Sequence, residues 1–150
     1  MMKRVGHLFI FALALFALGC DGRQRGDVEM HDTERKMWNS IEEFYYDNVD
    51  TISLRDISIV VRYDKGYVAD SVAMNIVSIS PDSLVVEEPF TLHIPRLSDL
   101  RPETQIFPYR RNALLKIPGR YRFHLTPHTP IEGISSVGIA INASNSETNK

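Results

Sequence analysis

The chain has 150 residues, 17 Lys plus Arg against 19 Asp plus Glu, a single cysteine and 43% apolar residues. That length holds one globular unit, the formal net charge of −2 gives no basic excess for neutralising phosphates and so excludes nucleic acid as an expected partner, and one cysteine forms no internal disulfide. With 24% charged residues and many β-branched positions, the composition is that of a folding chain and not of a disordered one.

The first element is an export signal. Lys3 and Arg4 precede the unbroken apolar run Leu8 to Leu18, then Gly19 and Cys20. Eleven apolar residues are too few to span a bilayer, which takes about 20. A basic start, a short apolar stretch and a small residue ahead of the cut mark a signal that is removed. The lone cysteine stands at that cut, as in a bacterial lipoprotein signal, so residues 1–19 are expected to be cleaved. Cys20 is then expected to carry the covalent diacylglycerol and N-acyl lipid. Two or more acyl chains, at about 0.8 kcal/mol per buried methylene, hold a protein at a membrane stably. Ala17-Leu18-Gly19 also suits ordinary signal peptidase, which would release a soluble chain with a free terminal thiol. The expected location is the outer membrane, facing the periplasm, because Asp21 alone stands for the acidic run that marks surface export.

Residues 20–36 are expected to form the lipidated cysteine and a flexible tether, since Asp21 to Asp32 is polar and lacks apolar periodicity. Residues 37–143 read as an all-β domain, an antiparallel β-sandwich of jelly-roll or Ig-like form, with 144–150 a disordered tail. Residues 33–46 offer a helical turn at their start, but Phe44-Tyr45-Tyr46 favours a strand. Ile57, Ile59, Val61 and Tyr63 alternate with Ser58, Val60 and Arg62, the period-two pattern of a half-buried strand. Val72 to Ile79 is apolar on both faces, which predicts an enclosed strand. Phe90-Leu92-Ile94, Tyr121-Phe123-Leu125 and Val137-Ile139-Ile141 repeat the alternation. Turn signals separate these runs at Asp64-Lys65-Gly66, Ser80-Pro81-Asp82-Ser83, Pro118-Gly119 and Thr129 to Gly133. Leu97 to Pro118 reads as a long connection with a short strand near Ala113 to Ile117. Short punctuated strands without an amphipathic helix predict a two-sheet architecture.

Several of these features together resemble the gliding-motility lipoprotein GldH family of Bacteroidota. They are the signal ending in Cys20, Trp38 ahead of a first strand, Asp50-Thr51 before the strand ending in Arg62-Tyr63, Pro118-Gly119-Arg120-Tyr121-Arg122-Phe123, and Ile131-Glu132-Gly133-Ile134-Ser135-Ser136-Val137-Gly138-Ile139. The resemblance covers nearly the whole chain after the signal. It departs from the family pattern between Leu97 and Pro118, where members carry a glycine-rich stretch. It implies a non-enzymatic, membrane-anchored envelope protein, an accessory or assembly subunit of a complex associated with gliding motility and type IX secretion. Its partners would be membrane lipid through Cys20 and envelope proteins of that machinery. The family has no established site, so it implies no functional residues.

The residues themselves supply no catalytic set. Gly-x-Ser-x-Gly, His-Glu-x-x-His and a glycine-rich phosphate loop are all missing from the sequence. No cofactor and no metal are expected. His124 and His128 are spaced for a helical metal site, but Pro127 and Pro130 disfavour the helix, leaving histidines at a strand end. Asp47, Asp50 and Asp56 near Asn48 offer calcium-type oxygens, and a turn bonded to its own backbone is the plainer reading. Glu87 and Glu88 are adjacent and would face opposite sides of a strand.

One surface feature stands out. Five cations, Arg110, Arg111, Lys116, Arg120 and Arg122, occupy Thr104 to Ile131 without a carboxylate, while eight acids lie between Asp27 and Asp50 against Arg35 and Lys36. The cations are the candidate partner-binding strip, because complementary charge sets register and encounter rate. The competing reading pairs the basic strand with the acidic one inside the molecule. The alternative function is a glycan- or surface-polymer-binding module, with Trp38, Tyr45, Tyr46, Tyr67 and Tyr109 as an aromatic platform; core packing is the commoner role for such rings.

Overall fold

A computed structural model of the chain describes residues 26–144. The expected signal 1–19, Cys20, the first tether residues 21–25 and residues 145–150 lie outside them. The described chain is all-β, with ten strands and one 3-10 turn: β1 (Asp27–Asp32), the turn Glu34–Lys36, β2 (Met37–Trp38), β3 (Glu42–Asn48), β4 (Leu54–Tyr63), β5 (Val72–Ile79), β6 (Val85–Leu92), β7 (Glu103–Leu114), β8 (Gly119–Pro127), β9 (Ile131–Glu132) and β10 (Ile134–Ala143). Every pairing is antiparallel.

Two four-stranded sheets form, one in the order β1-β10-β4-β7 and the other β3-β8-β5-β6, with β2 and β9 as a small third pair. Period-two alternation supplies each sheet with one apolar face. From the first come Ile57, Ile59, Val61, Tyr63, Val137, Ile139 and Ile141, and from the second Phe44, Met74, Ile76, Phe123 and Leu125; all are buried in one core cluster. A single core shared by two antiparallel sheets is the arrangement of a β-sandwich.

Trp38 is fully buried beside this core and donates its indole N–H to the Ser40 carbonyl at 3.0 Å. The expected turns form as their residues dictate. The Asp64 carboxylate accepts from Gly66 N–H at 2.7 Å, and Ser83 N–H donates to the Ser80 carbonyl at 2.9 Å. Gly119 and Gly133 both hold positive φ, at 123° and 83°.

Four expectations give way. Asp27–Asp32, read as tether, is an edge strand paired along its length with β10, from Asp27 opposite Ile141 to Asp32 opposite Ser136. Residues 33–36 continue the ordered chain: Thr33 N–H donates to the Ser135 carbonyl at 3.0 Å, and the Lys36 carbonyl accepts from Gly133 N–H at 2.9 Å. The connection expected between Leu97 and Pro118 contains the twelve-residue β7. It ends at Leu114, so the short strand expected near Ala113 to Ile117 is the end of a longer one. An outer strand pairs on one side only, which is why it accepts Pro108. Finally, β5 is not enclosed on both faces: Val72, Met74 and Ile76 are buried while Ala73 is exposed. At the C-terminus, Ser144 N–H donates to the Leu54 carbonyl at 2.9 Å, so the expected tail starts no earlier than residue 145.

Candidate functional site

The charged face of the second sheet is built by β3 and β8. Because Phe44, Tyr46, Tyr121, Phe123 and Leu125 point into the core, alternation turns Glu43, Tyr45 and Asp47 of β3 outward, and Arg120, Arg122 and His124 of β8 with them. The register sets these side by side: His124 opposite Glu43, Arg122 opposite Tyr45, and Arg120 opposite Asp47. Two cations of the expected strip, Arg120 and Arg122, thus stand on one face together with His124, and the acidic strand that balances them is their neighbour.

Arg120 grips Asp47 with two bonds, Nε to Oδ1 at 2.8 Å and Nη2 to Oδ2 at 3.0 Å, and lies 5.6 Å from the centre of the Tyr45 ring. The Arg120 hydrogen bonds hold the Asp47 carboxyl below its usual range. His124 Nε2 stands 3.1 Å from Glu43 Oε1, and that contact likewise lowers the Glu43 carboxyl. Arg122 makes no ion pair among the described residues. The internal pairing of opposite charges is therefore what this face shows, with the Arg122 guanidinium outside any ion pair among the described residues.

The other three cations lie elsewhere. Arg110 and Arg111 are on β7, the outer strand of the first sheet, and Lys116 is in the connection from β7 to β8. Arg110 reaches across the open edge between β7 and β6 to the Glu88 carboxylate, which also accepts the Tyr109 hydroxyl at 2.6 Å. These two donors, the tyrosine first, lower the Glu88 carboxyl, while burial first, then the Glu88 bond, raises the Tyr109 phenol. Behind this clasp is an apolar slot of about 280 Å³ lined by Ile57, Val86, Leu115 and Phe123 among others.

The opposite edge, where β1 meets β3, is closed by polar contacts that the sequence reading missed. The Glu29 carboxylate accepts Tyr45 N–H at 3.0 Å, and His31 Nδ1 is 3.1 Å from Glu42 Oε2. The His31 ring stacks on Phe44 with centres 4.5 Å apart. The only signal was the alternation of Glu29 and His31 with Val28 and Met30, whose polar half faces inward.

The remaining candidates have structural partners. Asp50 accepts from Ile52 and Ser53 N–H, both at 3.0 Å, and meets Arg55 Nη2 at 3.2 Å. The Ser53 hydroxyl and these backbone donors hold its carboxyl down at about 2. Asn48 is buried and donates to the Leu115 carbonyl at 2.8 Å, while Asp56 accepts Asn112 N–H at 2.9 Å. His128 bonds Asn75 at 2.8 Å. Glu87 bonds Asn75 at 2.9 Å while Glu88 turns to the clasp. Among the described residues no cluster of His, Cys, Asp and Glu is placed to hold a metal ion. The five aromatic rings share no face: Trp38, Tyr46 and Tyr67 are buried, Tyr109 packs edge-on against Phe90 at 5.4 Å, and Tyr45 lies on the outer face of β3.

No family model matches the chain, and no curated protein matches it. Among solved structures, that of the infectious bursal disease virus Gx strain is similar at 11% identity with a TM-score of 0.35, over 83% of this chain and 33% of that one. The chain thus spans about a third of the viral protein's length.

Proposed function

We propose that this chain is a lipid-anchored, non-enzymatic protein of the cell envelope whose β body works by contact, as an accessory or assembly subunit of a complex associated with gliding motility and type IX secretion. The observation that carries the anchor is the junction at Cys20: a basic start, eleven apolar residues and the chain's one cysteine at the cut. The GldH resemblance supplies the complex and the outer membrane, and Asp21 standing alone after Cys20 supports the periplasmic side. The wound strand order, β1-β10-β4-β7 against β3-β8-β5-β6, supports a jelly-roll sandwich over an Ig-like one.

A body that works by contact needs surfaces that are rigid and chemically distinct. The β3–β8 face supplies one, with its paired charges fixed in register and Arg122 outermost. Mass spectrometry of the chain's N-terminus from membranes tests the anchor: an acylated Cys20 is expected, and Cys20→Ala should leave the detergent-extracted membrane fraction. An unmodified terminus on a membrane-free chain would overturn the reading. Crosslinking in intact cells tests the contact function, with co-captured envelope proteins as the expected result.

A further inference from the structure

We propose that one end of the body, formed by the β3–β4 loop, the β5–β6 hairpin and the end of β7, rests in the interfacial layer of the lipid surface to which Cys20 tethers the chain. The inference rests on the anchored reading above and adds which face the body turns to the bilayer.

These segments share an end because antiparallel register puts them there. Asn48 pairs with Gly119 and Leu54 with Leu114, and a Cβ on Gly119 would stand 3.1 Å from Pro81 of the hairpin. Six of the thirteen large exposed apolar residues gather here. Val49 and Ile52 on the β3–β4 loop are 91% and 86% exposed, with Leu54, Leu84, Val85 and Leu114 around them. Side chains this bare at a loop tip bury nothing in the fold. An interface that takes apolar groups some 5–10 Å deep would bury them.

The chain's own geometry selects lipid as the occupant. β1 runs away from this end, and Gly26 lies against Asn142 near the start of β4, so the chain leading back to Cys20 leaves from here. Cys20 stands six positions before Gly26, a stretch of chain that spans at most about 20 Å. The ten residues of β4, at about 3.3 Å each, separate the two ends of the body by more than that reach. The charge at this end is compatible: Asp47 is paired with Arg120 and Asp50 with Arg55, Lys116 is exposed, and the hairpin's Asp82 bonds the Ser80 hydroxyl. Farther along the β1–β3 edge, Glu29 and Glu42 mark the side an anionic lipid surface would repel.

The full chain, purified from membranes with its N-terminus intact, tests this as I52W and V68W variants. Each is reconstituted into vesicles of dibrominated phosphatidylcholine and phosphatidylglycerol in equal parts. Val68 is exposed in the β4–β5 connection at the opposite end, and the native Trp38, buried near that end, contributes the same background to both. Bromines should remove most of the emission added in I52W and little of that added in V68W. Equal quenching of both, or of V68W alone, would overturn the proposed orientation. A blue-shifted but unquenched signal in I52W would put a second copy or another protein over this end and also overturn it. The terminal mass separates the two ideas: an unacylated chain overturns the anchor and this inference together, while an acylated chain without quenching in I52W overturns this inference alone.

Discussion

At Gly133 the backbone leaves no room for a side chain. Its φ is 83°, and a Cβ would stand 2.0 Å from Tyr67 N, so no shift of a flexible side chain relieves the overlap. Its N–H donates to the Lys36 carbonyl and its carbonyl accepts Asp64 N–H, both at 2.9 Å, which ties three separate stretches of chain together. Gly133→Ala should destabilise the body by at least about 1–3 kcal/mol of backbone strain, read as a lower urea midpoint. Asp50 acts through charge instead. Its carboxyl is lowered from an ordinary 3.8 to about 2, so its ionised form is the one that the fold favours. The stability it contributes is complete above pH 4 and is lost as pH falls toward 2. Asp50→Asn should therefore lower the urea midpoint near neutrality, where that contribution is complete, and flatten its fall across that window, so that the two chains converge toward pH 2.

Among the elements, β1 shows how an edge strand is both held and protected. Its inward positions, Glu29 and His31, are polar and bond β3, and its outward positions are Val28 and Met30. Charges pointing inward at a sheet edge discourage a further strand from adding. The strand can lie close to β10 because residue 138 is glycine: a Cβ there would be 2.4 Å from the Glu29 carbonyl and 2.5 Å from Met30 Cγ. Gly138→Val should push β1 off the sheet, and amide hydrogen exchange would then show faster exchange across residues 27–32 with the core of β4 still protected. An unchanged pattern would mean the backbone absorbs the extra atoms. β7 is the counterpart at the other edge, where Pro108 stands opposite Ser58 of β4 with no strand on its outer side, and the Glu88 clasp with Tyr109 and Arg110 joins it to β6.

For the molecule as a whole, the two sheets present different chemistries to their surroundings. The outer face of the second sheet is a ladder of opposite charges, with Arg122 unpaired among the described residues. Replacing both guanidinium groups, Arg120→Glu with Arg122→Glu, would set like charges against Asp47 and Glu43. If this face docks an acidic partner, crosslinked capture from intact cells should be lost while the circular dichroism spectrum stays that of the folded body. Capture at the original level would assign these charges to sheet pairing alone. The end bearing Val49 and Ile52 is chemically the opposite, apolar and bare, and it stands where the chain leads back to Cys20.

The alternations at Ile57–Tyr63, Tyr121–Leu125 and Val137–Ile141 were legible because a strand with one buried face writes its burial directly into a period of two. The expected signal, which lies outside the described residues, is likewise read from local chemistry alone: charge, apolar length and one cysteine in a row. The edge strands were not legible, since β1 carries its polar residues inward and β7 contains a proline, and both are strands only because β10 and β4 offer them partners. The same limit applied to the basic strip. The sequence supplied its cations, but only register could put Arg120 against Asp47 and His124 against Glu43, and only the winding of two sheets could carry Arg110 to the far edge. Local patterns determine what a segment can become, and contacts between distant segments determine which charges meet and which are left to face a partner.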